Sequence, residues 1–99
     1  MALNIQRIKE LISPVCKNYG IKHMYMFGSQ ARGDASAASD ADFFLDSPGE
    51  IRSIIKLSGF RQDLEECLGI EVDIITALEK NSIFGKEVEK DMVSIYGSY

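Results

Sequence analysis

The apolar residues of this chain follow two rhythms. Ile5, Ile8, Leu11, Ile12 and Val15 recur at steps of three and four, the stripe of an amphipathic helix. Pro14 is expected to kink or restart that helix, with Ser13 available as a cap, and Gly20 to stop it. Ile21 to Phe27 has strand character and ends at Gly28; a short helical turn should follow from Ser29 to Arg32, closed by Gly33. Asp34 to Ser39 is small and polar and reads as a loop. Ala41 to Leu45 is a second strand. Ser47, Pro48 and Glu50 then form a capping box with proline at the first helical position. The helix they open would carry Ile51, Ile54, Ile55, Leu57, Leu64, Cys67 and Leu68, with Gly59 bending or splitting it and Gly69 ending it. Ile70 to Thr76 is a third strand. A last helix is expected from Ser82 to Tyr96, with Phe84, Val88, Met92 and Tyr96 four apart on one face.

This order predicts an α+β (α/β) architecture, a small mixed β-sheet backed by helices on one side. The expected core holds Ile8, Leu11, Ile12, Met24, Met26, Phe43, Leu45, Ile54, Leu64, Leu68, Val72 and Ile74. His23 alternates with Met24 and is expected at the surface or at a sheet edge. At 99 residues, positions 1–99 make a single domain.

Composition narrows the class. Apolar residues are 45% and charged residues 26%, ordinary for a folded chain. No apolar run reaches the ~18 residues a membrane span needs. Charges interrupt the N-terminal stretch where an export signal would be apolar, so no export is expected. Cys16 and Cys67 match no metal or redox spacing; they read as reduced, buried thiols of a cytoplasmic protein. The net charge of −4 argues against gripping nucleic acid by its phosphates. The charge is uneven: residues 1–33 hold five basic and one acidic residue, whereas residues 34–50 hold five acidic and none basic. That suggests an anion site beside a cation site, although chance clustering on a solvated surface would give the same count.

The chemistry concentrates in two segments. Gly28 and Ser29 lie just past a strand and open a helical turn, where unpaired backbone N–H groups attract phosphate. Gly28 has no Cβ to keep an anion away, Ser29 adds a hydroxyl donor, and Arg32 can fork onto the same oxygens. A plain strand-to-helix turn with a capping serine would look alike. Asp40 and Asp42 stand two apart at a strand start, so both carboxylates face one side. They repel unless a cation sits between them, and magnesium favours such oxygen donors. Two solvated acids at a strand end are the bland alternative. Asp73, between Val72 and Ile74, is costly in an apolar strand unless it faces a site. If its strand lies beside Asp40 and Asp42, three carboxylates converge and can hold two metal ions. Glu71, on the same face as Asp73, is a rival third ligand.

Gly28-Ser29, ten intervening residues, Asp40-Ala41-Asp42, and later Val72-Asp73-Ile74 form an ordered set. Together with Ala31-Arg32-Gly33, that set resembles the minimal nucleotidyltransferases of the DNA polymerase β-like superfamily, over nearly the whole chain. Ala41 is smaller than the isoleucine usual there. The resemblance implies the polymerase β-like nucleotidyltransferase fold. It implies Mg2+, two ions, on Asp40, Asp42 and Asp73; ATP as substrate, its terminal phosphates on Gly28 and Ser29 with Arg32 assisting; and Asp73 drawing the proton from the attacking hydroxyl.

After the third strand only a helix and a tail are expected, so the acceptor should be held by another protein. Stand-alone minimal nucleotidyltransferases resemble the antitoxin half of toxin–antitoxin pairs whose partner is an all-helical HEPN ribonuclease, in which AMP passes to a toxin tyrosine. A hetero-complex with a HEPN toxin is therefore expected. The other reading is an antitoxin that neutralises its partner by binding alone, its carboxylates vestigial. A third reading, an aminoglycoside-type transferase to a small molecule, is disfavoured because no acceptor domain is expected.

Overall fold

The computed structural model describes residues 4–33, 40–47, 51–79 and 81–97. Eight elements follow one another: α1 (Ile5–Asn18), β1 (His23–Phe27), α2 (Gly28–Arg32), β2 (Ala41–Ser47), α3 (Ile54–Leu68), β3 (Val72–Ile75), α4 (Ile83–Asp91) and β4 (Val93–Tyr96). The strands form one mixed sheet in the order β3-β2-β1-β4. β1 runs antiparallel to both β2 and β4, and β2 runs parallel to β3.

Strand alternation divides the apolar residues between the two faces. Met24, Met26, Phe43, Leu45 and Val72 join Ile8, Ile12 and Cys16 of α1 and Phe60, Leu64 and Leu68 of α3 in the main core. Each large side chain buried there stabilises the fold by roughly 1.5–3 kcal/mol. Phe27 and Phe44 look the other way and meet Val88 of α4 in a smaller cluster. Helices thus lie on both faces, whereas the sequence reading put them all on one side.

Local chemistry explains the helix ends. Asn4 and Ser53 cap α1 and α3, accepting from the amides of Arg7 at 2.8 Å and Lys56 at 3.1 Å. The expected start of α3 at Ser47 is corrected: Ser47 ends β2, residues 51–53 are not helical, and Pro48 to Glu50 lie outside the described residues. Ile54, the first residue of the helix, is 84% exposed, whereas Phe60, absent from the expected core, is fully buried. Pro14 neither breaks nor restarts α1. It sits on the exposed side, where water can satisfy the carbonyl that its ring leaves without a donor. Gly59 does not split α3 either.

The last expected helix is two elements. α4 stops at Asp91, Met92 turns extended with ψ 129°, and Val93–Tyr96 pairs with β1. The four-residue recurrence that suggested a longer helix also hid a period of two, with Ser94 exposed and Ile95 buried. β4 explains why His23 is 2% exposed and not at an edge: its strand is flanked on both sides. Its Nε2 lies 3.0 Å from Ser94 Oγ, and Nδ1 lies 3.9 Å from Asp46 Oδ2. Both cysteines are free thiols; Cys16 is buried as expected, whereas Cys67 is only half-buried. Burial, then the neighbouring Cys67, pushes the Cys16 thiol up to about 12, which keeps it protonated and unreactive.

Candidate active site

The site sits where β1 ends and where β2 and β3 begin. In the parallel register of β2 and β3, Asp42 is opposite Asp73. Adjacent strands run about 4.8 Å apart, and register partners point to the same side of a sheet. That side carries Phe44 and Ile75, the face of the smaller cluster. Asp40, exposed and two residues before Asp42, completes the group. Glu71, the rival of Asp73, lies before β3; its carbonyl accepts the Ala41 amide at 2.9 Å and so helps set the register that pairs Asp73 with Asp42. The sequence reasoning passed over Glu65 of α3. Its carboxylate accepts the Val72 amide at 3.0 Å and secures β3 one residue before Asp73.

The acids act on one another. Burial first, then the negative charges of Asp73 and Asp40, push the carboxyl of Asp42 above the usual aspartate range. Among the described residues, no ion pair involves Asp40, Asp42 or Asp73. This is a field that a cation would relieve. Among the described residues no three His, Cys, Asp or Glu side chains stand close enough to cage a metal ion unaided. Magnesium is ordinarily held by one or two carboxylates together with substrate phosphates. The hard oxygen donors here fit that kind of shared site.

The other side of the site is built on β1. Phe27, the last residue of β1, pairs with Asp42. Gly28 follows with φ +79°, a conformation that favours glycine, and a Cβ added there would lie 2.5 Å from Asp42 Oδ2. Only glycine leaves that carboxylate where it stands. Gly28 and Ser29 form the first turn of α2, as expected. The serine does not cap it: the N-cap is Phe27, which has no side-chain acceptor to offer the first amides. Gly33 closes the helix at φ +81°. Arg32 lies at the other end of α2, where its Nη1 contacts Asp91 Oδ2 of α4 at 2.7 Å. Asp91 is a partner that the sequence offered no signal for. The structure thus brings Asp40, Asp42, Asp73 and Gly28 together, with Ser29 beside them, and engages Arg32 with α4.

Comparison with known proteins agrees with this geometry. Residues 8–96 match the family described as nucleotidyltransferase domain. A relative in Methanocaldococcus jannaschii, provisionally named a protein adenylyltransferase, is 39% identical over 74 residues, 75% of this chain and 78% of that one. Protein adenylyltransferase MntA of Thermococcus cleftensis is 29% identical over 97 residues, covering 94% of this chain and 97% of its own. A solved structure provisionally described as a minimal nucleotidyltransferase superposes with a TM-score of 0.71 at 25% identity, over 92% of this chain and 95% of that one. The fold is shared, at a TM-score of 0.66 and 16% identity over 95% of this chain and 73% of that one, with a chain from a tri-AMPylated Shewanella oneidensis HEPN toxin in complex with an MNT antitoxin. With that family matched along almost its whole length, the chain belongs to the nucleotidyltransferase domain family, among its minimal members, and is a nucleotidyltransferase.

Proposed function

We propose that this nucleotidyltransferase moves AMP from ATP onto a tyrosine hydroxyl of a partner HEPN toxin and thereby acts as its antitoxin. The pairing of Asp42 with Asp73 across parallel strands, with Gly28 packed against the Asp42 carboxylate, carries the reading. Its setting is the cytoplasm, where ATP is at hand, and residues 1–99 work as one domain joined to the toxin in a hetero-complex. The names of relatives as protein adenylyltransferases, and the AMPylated toxin beside a related fold, support the choice of AMP and of a protein acceptor.

Asp40, Asp42 and Asp73 would hold Mg2+, two ions, which when bound supply charge stabilisation at the α-phosphate and acidify the acceptor hydroxyl. The amides of Gly28 and Ser29 and the Ser29 hydroxyl hold the terminal phosphates. Arg32, aimed by Asp91, adds positive charge at the far end of α2. Asp73, on the edge strand, accepts the proton of the acceptor hydroxyl at its carboxylate. The tyrosine oxygen attacks the α-phosphorus in line, the bond to the bridging oxygen breaks, and pyrophosphate leaves. Asp42, the most enclosed of the three acids, keeps the reacting phosphate aligned.

The test is incubation of the chain with the partner HEPN toxin, α-labelled ATP and magnesium. Label on a toxin tyrosine, absent with Asp42→Asn, is the expected result. Full neutralisation of the toxin by Asp42→Asn, with no label transferred by the natural chain, would make the protein a binder only.

A further inference from the structure

Ile83 and Phe84 open α4 with 85% and 57% of their surfaces exposed. The buried side of this helix rests on Gly85 and Val88, so packing within the chain does not account for them. Their position is informative. The Phe84 ring stands edge-on to Phe27, centroids 6.2 Å apart. Phe27 is the register partner of Asp42 and the residue before Gly28. An exposed aromatic side chain therefore lies one ring away from the catalytic acids, on the sheet face they occupy. A protein that brings a hydroxyl to Asp42 and Asp73 has to pass over, or settle on, the first turn of α4.

Charge describes the rest of that visitor. Asp40, Asp42 and Asp73 enter no ion pair among the described residues, and Arg32, in the neighbouring α2, is bound to Asp91. Divalent ions held by these carboxylates would be balanced by the triphosphate they bind, so the site stays net negative for the acceptor to meet. We infer that Ile83 and Phe84 are the docking surface for the acceptor protein, taken up by a segment that carries an apolar side chain flanked by basic residues near the acceptor hydroxyl. This rests on the protein-directed transfer proposed above. Buried aromatic anchors ringed by complementary charge are a common way for a small surface to hold a partner.

The test uses the whole chain, with the unmodified partner HEPN toxin as probe. Toxin binding is measured calorimetrically without ATP or magnesium, and transfer is measured separately with both. Ile83→Ser and Phe84→Ser are each expected to weaken toxin binding about tenfold or more. They should raise the KM for toxin and leave the KM for ATP within about twofold, with the melting temperature kept because both side chains are exposed. Ile83 does not rely on the Phe27 contact and so checks the result independently. Binding to the natural chain should weaken as salt is raised. Unchanged toxin affinity in both variants would overturn the inference. So would a raised KM for ATP alone, which would mean that the ring reads the nucleotide, or a dimer of this chain that Phe84→Ser dissolves. Failure of the natural chain to bind or label the toxin would instead remove the proposed function.

Discussion

Asp42 and Asp73 are register partners on adjacent parallel strands, thirty-one positions apart in sequence and held face to face by the sheet. Like charges so placed strain the fold unless something positive joins them. Divalent cations should therefore bind weakly to the isolated chain and more tightly with ATP. Asp42→Asn and Asp73→Asn should each reduce manganese binding, read by paramagnetic resonance, by about tenfold or more. Equal binding by both variants would contradict a shared cation site.

The raised proton affinity of Asp42 has a consequence for stability. Its folded-state pKa lies above the unfolded one, so the folded state holds the proton more tightly. That contribution is complete below the ordinary aspartate range and is lost as pH rises through the raised value. At neutral pH without metal, Asp42→Asn should therefore melt higher than the natural chain. The gap should close as pH falls towards ~4. Melting curves in a chelator check this; a variant that melts lower at neutral pH goes against it.

Gly28 couples the backbone to the site. Gly28→Ala places a non-glycine residue at φ +79° and its Cβ against Asp42 Oδ2. The left-handed conformation costs about 1–2 kcal/mol. Displacing Asp42 should cost activity more heavily, since an ångström of misplacement can lose roughly a hundredfold. Denaturant unfolding and steady-state kinetics on the same preparation measure both. A fully active alanine variant would show that the close approach is not needed.

The core offers a contrast of two residues on one helix. Phe60 is fully buried, and Phe60→Ala should cost about 3–5 kcal/mol. Ile54 is 84% exposed, and Ile54→Ala should change stability by less than about 0.5 kcal/mol. Chemical denaturation separates the two outcomes.

That pair also shows where the sequence stopped being legible. Apolar periodicity gave α3 and its end at Gly69, but neither its start nor which of its apolar residues the sheet covers. The capping box at Ser47 competed with Ser53, and Ser53 caps the helix. β4 was hidden because Val93 and Ile95 suit a strand while Val88, Met92 and Tyr96 continue a helical spacing. Only the open edge of β1, a feature of the sheet, favours the strand. His23 followed from the same omission. The candidate site left its own local signals in the sequence. A glycine after a strand, two acids two apart, and a third acid among apolar residues each break a local rule, and such breaks mark function. Arg32 is different: the sequence suggested a fork onto phosphate, whereas the structure joins it to Asp91, a contact between α2 and α4 that has no local signature.

The most direct measurement is nucleotidyl transfer from α-labelled ATP in magnesium by the natural chain and by Asp40→Asn, Asp42→Asn and Asp73→Asn, each confirmed folded. The natural chain should label its protein acceptor, and each variant should lose roughly a hundredfold to a thousandfold or more in rate. Transfer by Asp73→Asn at the natural rate would contradict the account, because the third carboxylate would then have no part in the reaction.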